Sequence, residues 1–413
     1  MQTDRVVIVG ASHASAQLCV SLRRDGWDGE ILLIGDEPSL PYQRPPLSKT
    51  FLAGTTTIED LHIRKPAFYE KEQVTFRQAR VTGISREAET VTLDDGDTVG
   101  YDKLVLCLGA RPRPLDVPGM DLAGVHYLRN AADIGAIRDS LRTAERAVII
   151  GAGYIGLEAA ASLRKLGVEV SVVEVAERVL QRVTAPEVSA FYDRVHREEG
   201  VDLRLGVGVE ALEGDDRVSG VRLARGELLA ADLVIVGVGV LPNVELAQDA
   251  GLTVENGIVV DDHGRTEDPN IFAAGDCANH FDARYDCRVR LECVSNATEH
   301  AKSVAGAICG KERPISAIPW FWSDQYDLKL QIAGLSTGYD EVVLRGDPAA
   351  GRAFACFYLA DGRLIAADCV NNAQEFMFGK RAIAEGLSPD RSLLADPGTP
   401  LASLLQGSPA GAG

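Results

Sequence analysis

Three glycines, Gly151, Gly153 and Gly156, stand in the spacing G-x-G-x-x-G between an apolar run (Ala147–Ile150) and a stretch of helical periodicity. Glu174 follows Gly151 by 23 residues, at the end of the next apolar run. Each position has a chemical reason. The first glycine permits a tight turn, the second lets a pyrophosphate approach the backbone at a helix N-terminus, and the third allows close helix–strand packing. A carboxylate at Glu174 accepts a hydrogen bond from a ribose 2′-hydroxyl and repels a 2′-phosphate, so NADH is favoured over NADPH. A second, less regular unit precedes it. In Gly10-Ala-Ser-His-Ala-Ser, Ser12 and Ser15 stand where the second and third glycines are usual, and Asp36 supplies a ribose acceptor 26 residues after Gly10. Serine is small enough for packing at Ser15. At Ser12 it crowds a phosphate unless its hydroxyl turns away or donates a hydrogen bond. His13 opens the helix, where capping or facing solvent is its commoner use. A third segment, Pro269 to Asp276, reads as a buried strand ending at Gly275-Asp276, with a plain turn aspartate as the bland alternative.

These residues need particular elements to hold them. Arg5 to Gly10 is a β-branched run, followed by helix from His13 to about Arg24 and strand from Ile31 to Ile34, which together make a βαβ start. Pro41, Pro45 and Pro46 exclude continuous helix or central strand from Pro38 to Gly54, which reads as a rigid loop. Val81 to Val105 alternates like short strands around an Asp95-Gly96 turn and leads to a buried strand at Leu104 to Leu108. Arg111-Pro-Arg-Pro reads as a linker, Ala147 to Glu174 as the second βαβ unit, and Leu241-Pro242-Asn243 as its exit. A helix of about 296–309, with Ser295 and Asn296 as N-caps, directs its positive end toward anionic density. The last ninety or so residues pattern as an antiparallel sheet with a terminal helix. The small-residue tail Gly407 to Gly413 is expected to be disordered.

The bulk properties narrow the class. A chain of 413 residues, 46% hydrophobic and 25% charged, has enough material for two or three buried cores and a soluble exterior. No apolar run approaches the roughly 20 residues of a spanning helix, and the start has no signal-peptide pattern, so no membrane association and a cytoplasmic location are expected. A net charge of −18 argues against nucleic acid as a partner. The eight cysteines show neither CxxC nor metal-ligand spacing. They read as reduced, mostly buried thiols, with no metal site and no dithiol for reducing disulfides.

The segments TEDPNIFAAGDC and LVLCLGARPRP resemble the flavoproteins with two dinucleotide-binding domains, in which the aspartate matching Asp276 binds the ribityl chain of FAD. PYQRPPLSKTFLAG, GAGYIGLE, ERVLQRVTAPEVSAFYDRVHREEGVD, GVGVLPN and PWFWSDQYDLKLQIAG narrow the resemblance to the NADH-dependent ferredoxin reductases of bacterial oxygenase systems. It spans essentially the whole chain except the tail. It departs from the pattern at Ser12, at Ser15 and in Asn-Ala-Ala-Asp after Arg129. The implied fold class is α/β: two Rossmann-like, doubly wound dinucleotide-binding domains plus a C-terminal α+β domain with an antiparallel sheet. FAD would be held by 1–112 with 245–318 and NADH by 113–244, with 319–413 forming the C-terminal domain.

The same resemblance assigns roles. FAD is contacted by Gly10, Ser12, His13 and Ala14, by Asp36, Arg44 and Lys49, by Val81 and Arg129, and by Gly275, Asp276, Val294 and Trp320. NADH is contacted by Gly151, Gly153, Tyr154, Ile155, Gly156, Glu158 and Glu174, and by Gly237, Val238 and Gly239. Lys49 and Glu158 are the catalytic pair: the lysine stabilises negative charge on reduced flavin and the acid pairs with it near the nicotinamide. Without the resemblance they read as a solvated loop lysine and a surface helix acid. Arg64, Lys302, Lys380 and Trp322 match positions that face a [2Fe–2S] ferredoxin, which in turn supplies a terminal oxygenase. Two other classes share the fold. Reductases of small-molecule acceptors, such as monodehydroascorbate reductase or NADH oxidase, are one, although the oxidase branch uses a cysteine that Leu40 to Lys49 lacks. Binding flavoproteins of the apoptosis-inducing-factor type are the other, disfavoured by the absence of targeting segments or basic tails.

Overall fold

The computed structural model describes residues 4–405, and the expected disorder of Gly407 to Gly413 falls outside the described residues. The chain divides into two compact units. The first comprises Met1–Arg44, Thr56–Arg111 and Val240–Ala317, and the second Pro45–Thr55, Pro112–Gly239 and Ile318–Gly413.

The first unit is built on a parallel sheet in the order Ile271–Ala273, Lys103–Leu106, Arg5–Val9, Glu30–Gly35, Val74–Gln78. Its central strand is apolar on both faces because both are covered, as a parallel sheet requires. Val6 and Ile8 pack with Leu18, Leu22, Ala301 and Val304 of the helices His13–Asp25 and Val294–Ile308. Val7 and Val9 point the other way, onto Val91 and Leu93 of the antiparallel meander Val81–Ser85, Thr90–Leu93, Thr98–Gly100 and onto Tyr101 just after it. Two sequence expectations are corrected. The helix expected at 296–309 begins at Val294, with Cys293 in the N-cap position (φ −148°), so Ser295 and Asn296 lie inside its first turn. The Asn296 amide instead donates back to the Leu291 carbonyl at 3.1 Å. Arg111 is not in a linker. It sits in the short strand Ala110–Pro112 and is anchored to Glu245 at 2.6 Å.

The second unit holds a five-stranded parallel sheet in the order Val201–Arg204, Glu169–Val173, Arg146–Ile150, Leu233–Val236, Val125–Tyr127. Its first four strands repeat the arrangement of Val74–Gln78, Glu30–Gly35, Arg5–Val9 and Lys103–Leu106, whereas its edge strand Val125–Tyr127 comes first in sequence and the first unit's edge strand Ile271–Ala273 comes last. It also holds the five-stranded antiparallel sheet Trp320–Gln325, Leu328–Gly334, Arg363–Val370, Phe354–Ala360, Glu341–Arg345. Ala355, Phe357, Ala367 and Cys369 of that sheet face the helix Ala373–Glu385. Gly379 sits where a Cβ would come within 2.9 Å of the Ala367 methyl.

The alternate face of the same sheet carries an acid. Asp368 is 1% exposed, and its Oδ2 accepts from the Thr184 and Tyr358 hydroxyls at 2.5 Å each, while the Tyr358 oxygen accepts from the Ala185 amide at 3.0 Å. Burial without a cation pushes its pKa up to about 6. Because the folded value lies above the unfolded one of about 3.9, the proton on Asp368 stabilises the fold fully below pH ~4, and that contribution is lost as pH rises through 6. Asp368→Asn is therefore expected to flatten the pH dependence of Tm between about pH 4 and 6.5 and to relieve an ionisation penalty of about 3 kcal/mol at pH 7. Parallel wild-type and variant profiles, followed by circular dichroism, would overturn this.

Candidate functional site

In the first unit, Gly10 has φ +101°, and a Cβ there would lie 2.2 Å from the Cys107 carbonyl oxygen, so only glycine lets the chain turn here from strand into helix. Ser15 occupies the usual third-glycine place without obstructing it. Fully buried, its hydroxyl accepts from the Ser12 amide at 2.8 Å and donates to the Ser12 carbonyl at 2.9 Å, tightening the first helical turn. The Ser12 hydroxyl accepts from Arg44 Nε at 3.1 Å. His13 and the buried Ala14 open the helix His13–Asp25, and Ala14 lies 3.4 Å from where a Gly275 Cβ would be. The Gly10 turn and the Gly275-Asp276 turn thus meet at one helix N-terminus. This lines a cradle with backbone amides, with the Arg44 guanidinium beside it on Ser12, which fits the pyrophosphate of a dinucleotide.

Asp36 is exposed and paired with Arg80 at 3.3 Å. Its neighbour Glu37 is the acid turned toward the cradle. It binds the Arg44 guanidinium at 2.6 Å and accepts from the Tyr42 hydroxyl. Glu37 and Tyr42 were missed in the sequence because Asp36-Glu37 offers two acids in succession and only the backbone direction after the strand chooses between them. Val81 is half-buried in the meander, and Val294 begins the helix that covers the sheet.

In the second unit the same turn recurs. Gly151 has φ +108°, with its absent Cβ 2.4 Å from the Gly237 oxygen, and a Cβ on Gly156 would meet the Gly151 oxygen at 2.1 Å. Nothing lies within 4 Å of a Gly153 Cβ, so that glycine leaves open space at the start of the helix Tyr154–Lys165. Glu174 receives the Ala152 and Ala176 amides at 2.7 and 2.9 Å, one on each carboxylate oxygen, and each oxygen keeps a further acceptor site. Gly237, Val238 and Gly239 follow the strand Leu233–Val236, half-buried beside this loop. Ile155 is 41% exposed, whereas Tyr154 is turned inward against Phe321, 4.8 Å between ring centroids.

Lys49 and Glu158 form an ion pair at 2.8 Å, with side-chain exposures of 18% and 7%. Glu158 is therefore no surface helix acid. Its Oε2 also accepts from Ser48 Oγ at 2.6 Å and its Oε1 from Ser323 Oγ at 2.7 Å. Ser48 could have been suspected from its place beside Lys49. Ser323 carries no signal, being 165 residues from its partner. Arg129 lies in this second unit and precedes the helix Ala131–Leu141. The unusual Asn-Ala-Ala-Asp after it is a capping box: Asn130 Oδ1 accepts from the Asp133 amide at 2.9 Å and Asp133 Oδ2 from the Asn130 amide at 3.0 Å.

The residues expected to face a protein partner are distributed over both units. In the first, Arg64 is exposed over the Phe68 ring, and Lys302 pairs with Glu299 at 2.6 Å. In the second, Trp320 and Trp322 stack at 5.5 Å, with Lys380 Nζ 5.4 Å from the Trp320 ring centroid. All eight cysteines are free. Burial pushes the Cys277 thiol, next to Asp276, up to about 11, which makes it a poor nucleophile. No helix among the described residues is long and apolar enough to cross a membrane.

Residues 4–301 match the family described as pyridine nucleotide-disulphide oxidoreductase, and residues 320–405 match the reductase C-terminal family. The chain is 44% identical to putidaredoxin reductase of Pseudomonas putida over 409 residues, covering 97% of each chain. It is 41% identical to rhodocoxin reductase of Rhodococcus erythropolis, covering 95% of this chain and 92% of the relative. Among solved structures, the covalent putidaredoxin reductase–putidaredoxin complex superposes with a TM-score of 0.94 at 44% identity, covering 97% of this chain and 98% of that one.

The two glycine turns should be separable by substitution. Gly156→Ala, which puts a methyl against the Gly151 carbonyl, is expected to weaken NAD+ binding at least about tenfold while bound flavin is retained. Gly10→Ala is expected to lose FAD during purification. Unchanged NAD+ affinity in the first, by fluorescence titration, or full flavin content in the second, by absorbance, would count against the assignment of the two cradles.

Proposed function

The chain belongs to the pyridine nucleotide-disulphide oxidoreductase family, and from that footing we propose that it is an FAD-dependent NADH:ferredoxin oxidoreductase whose [2Fe–2S] ferredoxin supplies a monooxygenase or dioxygenase. One observation carries the reading: the similarity to ferredoxin reductases runs through the C-terminal sheet as well as the dinucleotide domains. The described thiols are all unbonded and most are buried, which disfavours disulphide reduction as the chemistry. Free thiols and a requirement for NADH suit a cytoplasmic enzyme.

In this reading FAD, when bound, converts a two-electron hydride donor into single-electron delivery. The Gly10 turn, the N-terminus of the helix beginning at His13, Arg44 and Asp276 hold it. The Gly151 turn and Glu174 hold NADH. Lys49 would supply a fixed cation against negative charge on a bound, reduced flavin, and Glu158, 2.8 Å from its ammonium, keeps that cation from swinging into solvent. In this division of labour 1–112 with 245–318 binds FAD, 113–244 binds NADH and 319–413 forms the C-terminal domain; the segment Pro45–Thr55, which carries Lys49, packs with the second unit and departs from that division.

Cofactor choice rests on Glu174. Glu174→Ala is expected to lower kcat/KM for NADH about tenfold or more, since the glycine loop also loses its acceptor for the Ala152 amide, and to raise the relative use of NADPH. A wild-type kcat/KM for NADPH equal to or above that for NADH would remove the assignment.

The partner is tested by NADH-driven reduction of candidate [2Fe–2S] ferredoxins, compared with dichloroindophenol and oxygen. Activity with the dye or oxygen and none with any ferredoxin would favour a small-molecule reductase. A chain of net charge −18 repels an acidic ferredoxin at long range unless local cations at Arg64, Lys302 and Lys380 reverse the field. Lys302→Glu would place a second negative charge beside Glu299. It is expected to raise the KM for ferredoxin, most strongly at low salt, while dye reduction is unchanged. Equal losses in both assays would remove Lys302 from the docking surface.

A further inference from the structure

Ser323, Gln325, His196 and Tyr326 have no part in the reading above, yet they form an unbroken hydrogen-bonded line that ends on Glu158. All belong to the second unit. The Tyr326 hydroxyl lies 3.2 Å from His196 Nδ1, and His196 Nε2 lies 2.8 Å from Gln325 Oε1. Gln325 Nε2 donates to Ser323 Oγ at 3.1 Å, and Ser323 Oγ donates to Glu158 Oε1 at 2.7 Å. Ser323, Gln325 and His196 are each 1% exposed or less. Ser323 and Gln325 stand two apart on the strand Trp320–Gln325 and so share a face.

The donors and acceptors leave one direction for this line. An ionised carboxylate only accepts, so Ser323 gives its single proton to Glu158 and keeps its lone pairs for Gln325 Nε2. That turns Gln325 Oε1 toward His196, which must then carry its ring proton on Nε2 and accept from Tyr326 at Nδ1. Burial holds the imidazole neutral, with its pKa lowered to about 4. A carboxamide in the middle does not readily pass a proton from one end to the other, so the line conveys orientation. At its end, Glu158 Oε1 is fixed by Ser323, and Oε2 is left to Ser48 and Lys49.

We propose that Ser323 and Gln325 are positioning residues for hydride transfer: through this one-way line they fix the Glu158 carboxylate so that Oε2 keeps the Lys49 ammonium in place. The proposal rests on the reading that the Lys49–Glu158 pair serves that step. It extends the reaction's support into the C-terminal sheet, which the dinucleotide motifs do not reach.

The test compares Ser323→Ala, Gln325→Leu and Glu158→Gln holoenzymes. In single-turnover reduction of bound FAD by saturating NADH, Ser323→Ala is expected to slow the rate about tenfold, the scale of one lost hydrogen bond to a charged group. The dissociation constant for NAD+ should stay within about twofold, since the cradle is untouched. Ser323→Thr, which retains the hydroxyl, should restore most of the rate. In the Glu158→Gln background Ser323→Ala should add no further loss, because it acts through that carboxylate. A readout independent of turnover is nitrogen-15 NMR of the histidines. His196 should be neutral and protonated at Nε2 in the wild type, and should lose that single tautomer in Gln325→Leu. A slow Glu158→Gln together with a wild-type rate in Ser323→Ala would overturn the proposal alone, as would Nδ1 protonation of His196. A wild-type rate in Glu158→Gln would overturn the underlying reading and the proposal with it.

Discussion

A carboxylate taken out of water must be met by donors on every side, and Glu158 imposes that demand on the second unit. One residue into the second turn of a helix, at 6% exposure, it draws in Ser48 and Lys49 from the proline-stiffened segment and Ser323 from the C-terminal sheet. Leaving any one of these contacts unmade would strand a charge or a lone pair in a low-dielectric interior. Packing of the helix Tyr154–Lys165, the short helical turn Pro45–Ser48 and the strand Trp320–Gln325 therefore answers to a single buried anion. This ties the segment Pro45–Thr55 to the second unit although it interrupts the first in sequence.

Both dinucleotide cradles rest on a steric constraint of another kind. At Gly10 and at Gly151 the backbone adopts positive φ under a carbonyl of a neighbouring strand's continuation, that of Cys107 in one case and Gly237 in the other. The parallel sheets around them share the arrangement of the four strands nearest the turns, so a single local solution has been used twice with different side chains. Where the second copy keeps glycine at position 156, the first has Ser15. The serine is accommodated because its hydroxyl is consumed by the Ser12 backbone within the same turn.

A second buried acid, Asp368, lacks a cation and is served by two hydroxyls, so it pays for its place with a raised pKa. The contrast with Glu158 is physical. An acid beside a lysine remains a charge that can do electrostatic work on a neighbouring reaction, whereas one met only by hydroxyls serves chiefly to fix the geometry of the strand Arg363–Val370 against Thr184 and Ala185.

The G-x-G-x-x-G run, Glu174, the doubled βαβ pattern and the alternating strands of the last ninety residues were legible in sequence because each depends on local spacing: a turn, a helix period, a strand period. The same spacing could not locate the start of the helix at Val294. Ser295 and Asn296 are the better capping types, yet they lie inside the first turn, and only the backbone angles at Cys293 show that the helix starts before them. Nor could it choose Glu37 over Asp36, since adjacent side chains leave a chain on different sides and the turn after the strand decides which enters the cradle. The resemblance named Lys49 and Glu158 together. That they form a buried pair, held by Ser48 and by Ser323 from 165 residues away, was decided by tertiary structure. Hydrogen bonds between distant segments leave no periodicity in the chain, and a buried acid on a helix has the same letter as an exposed one.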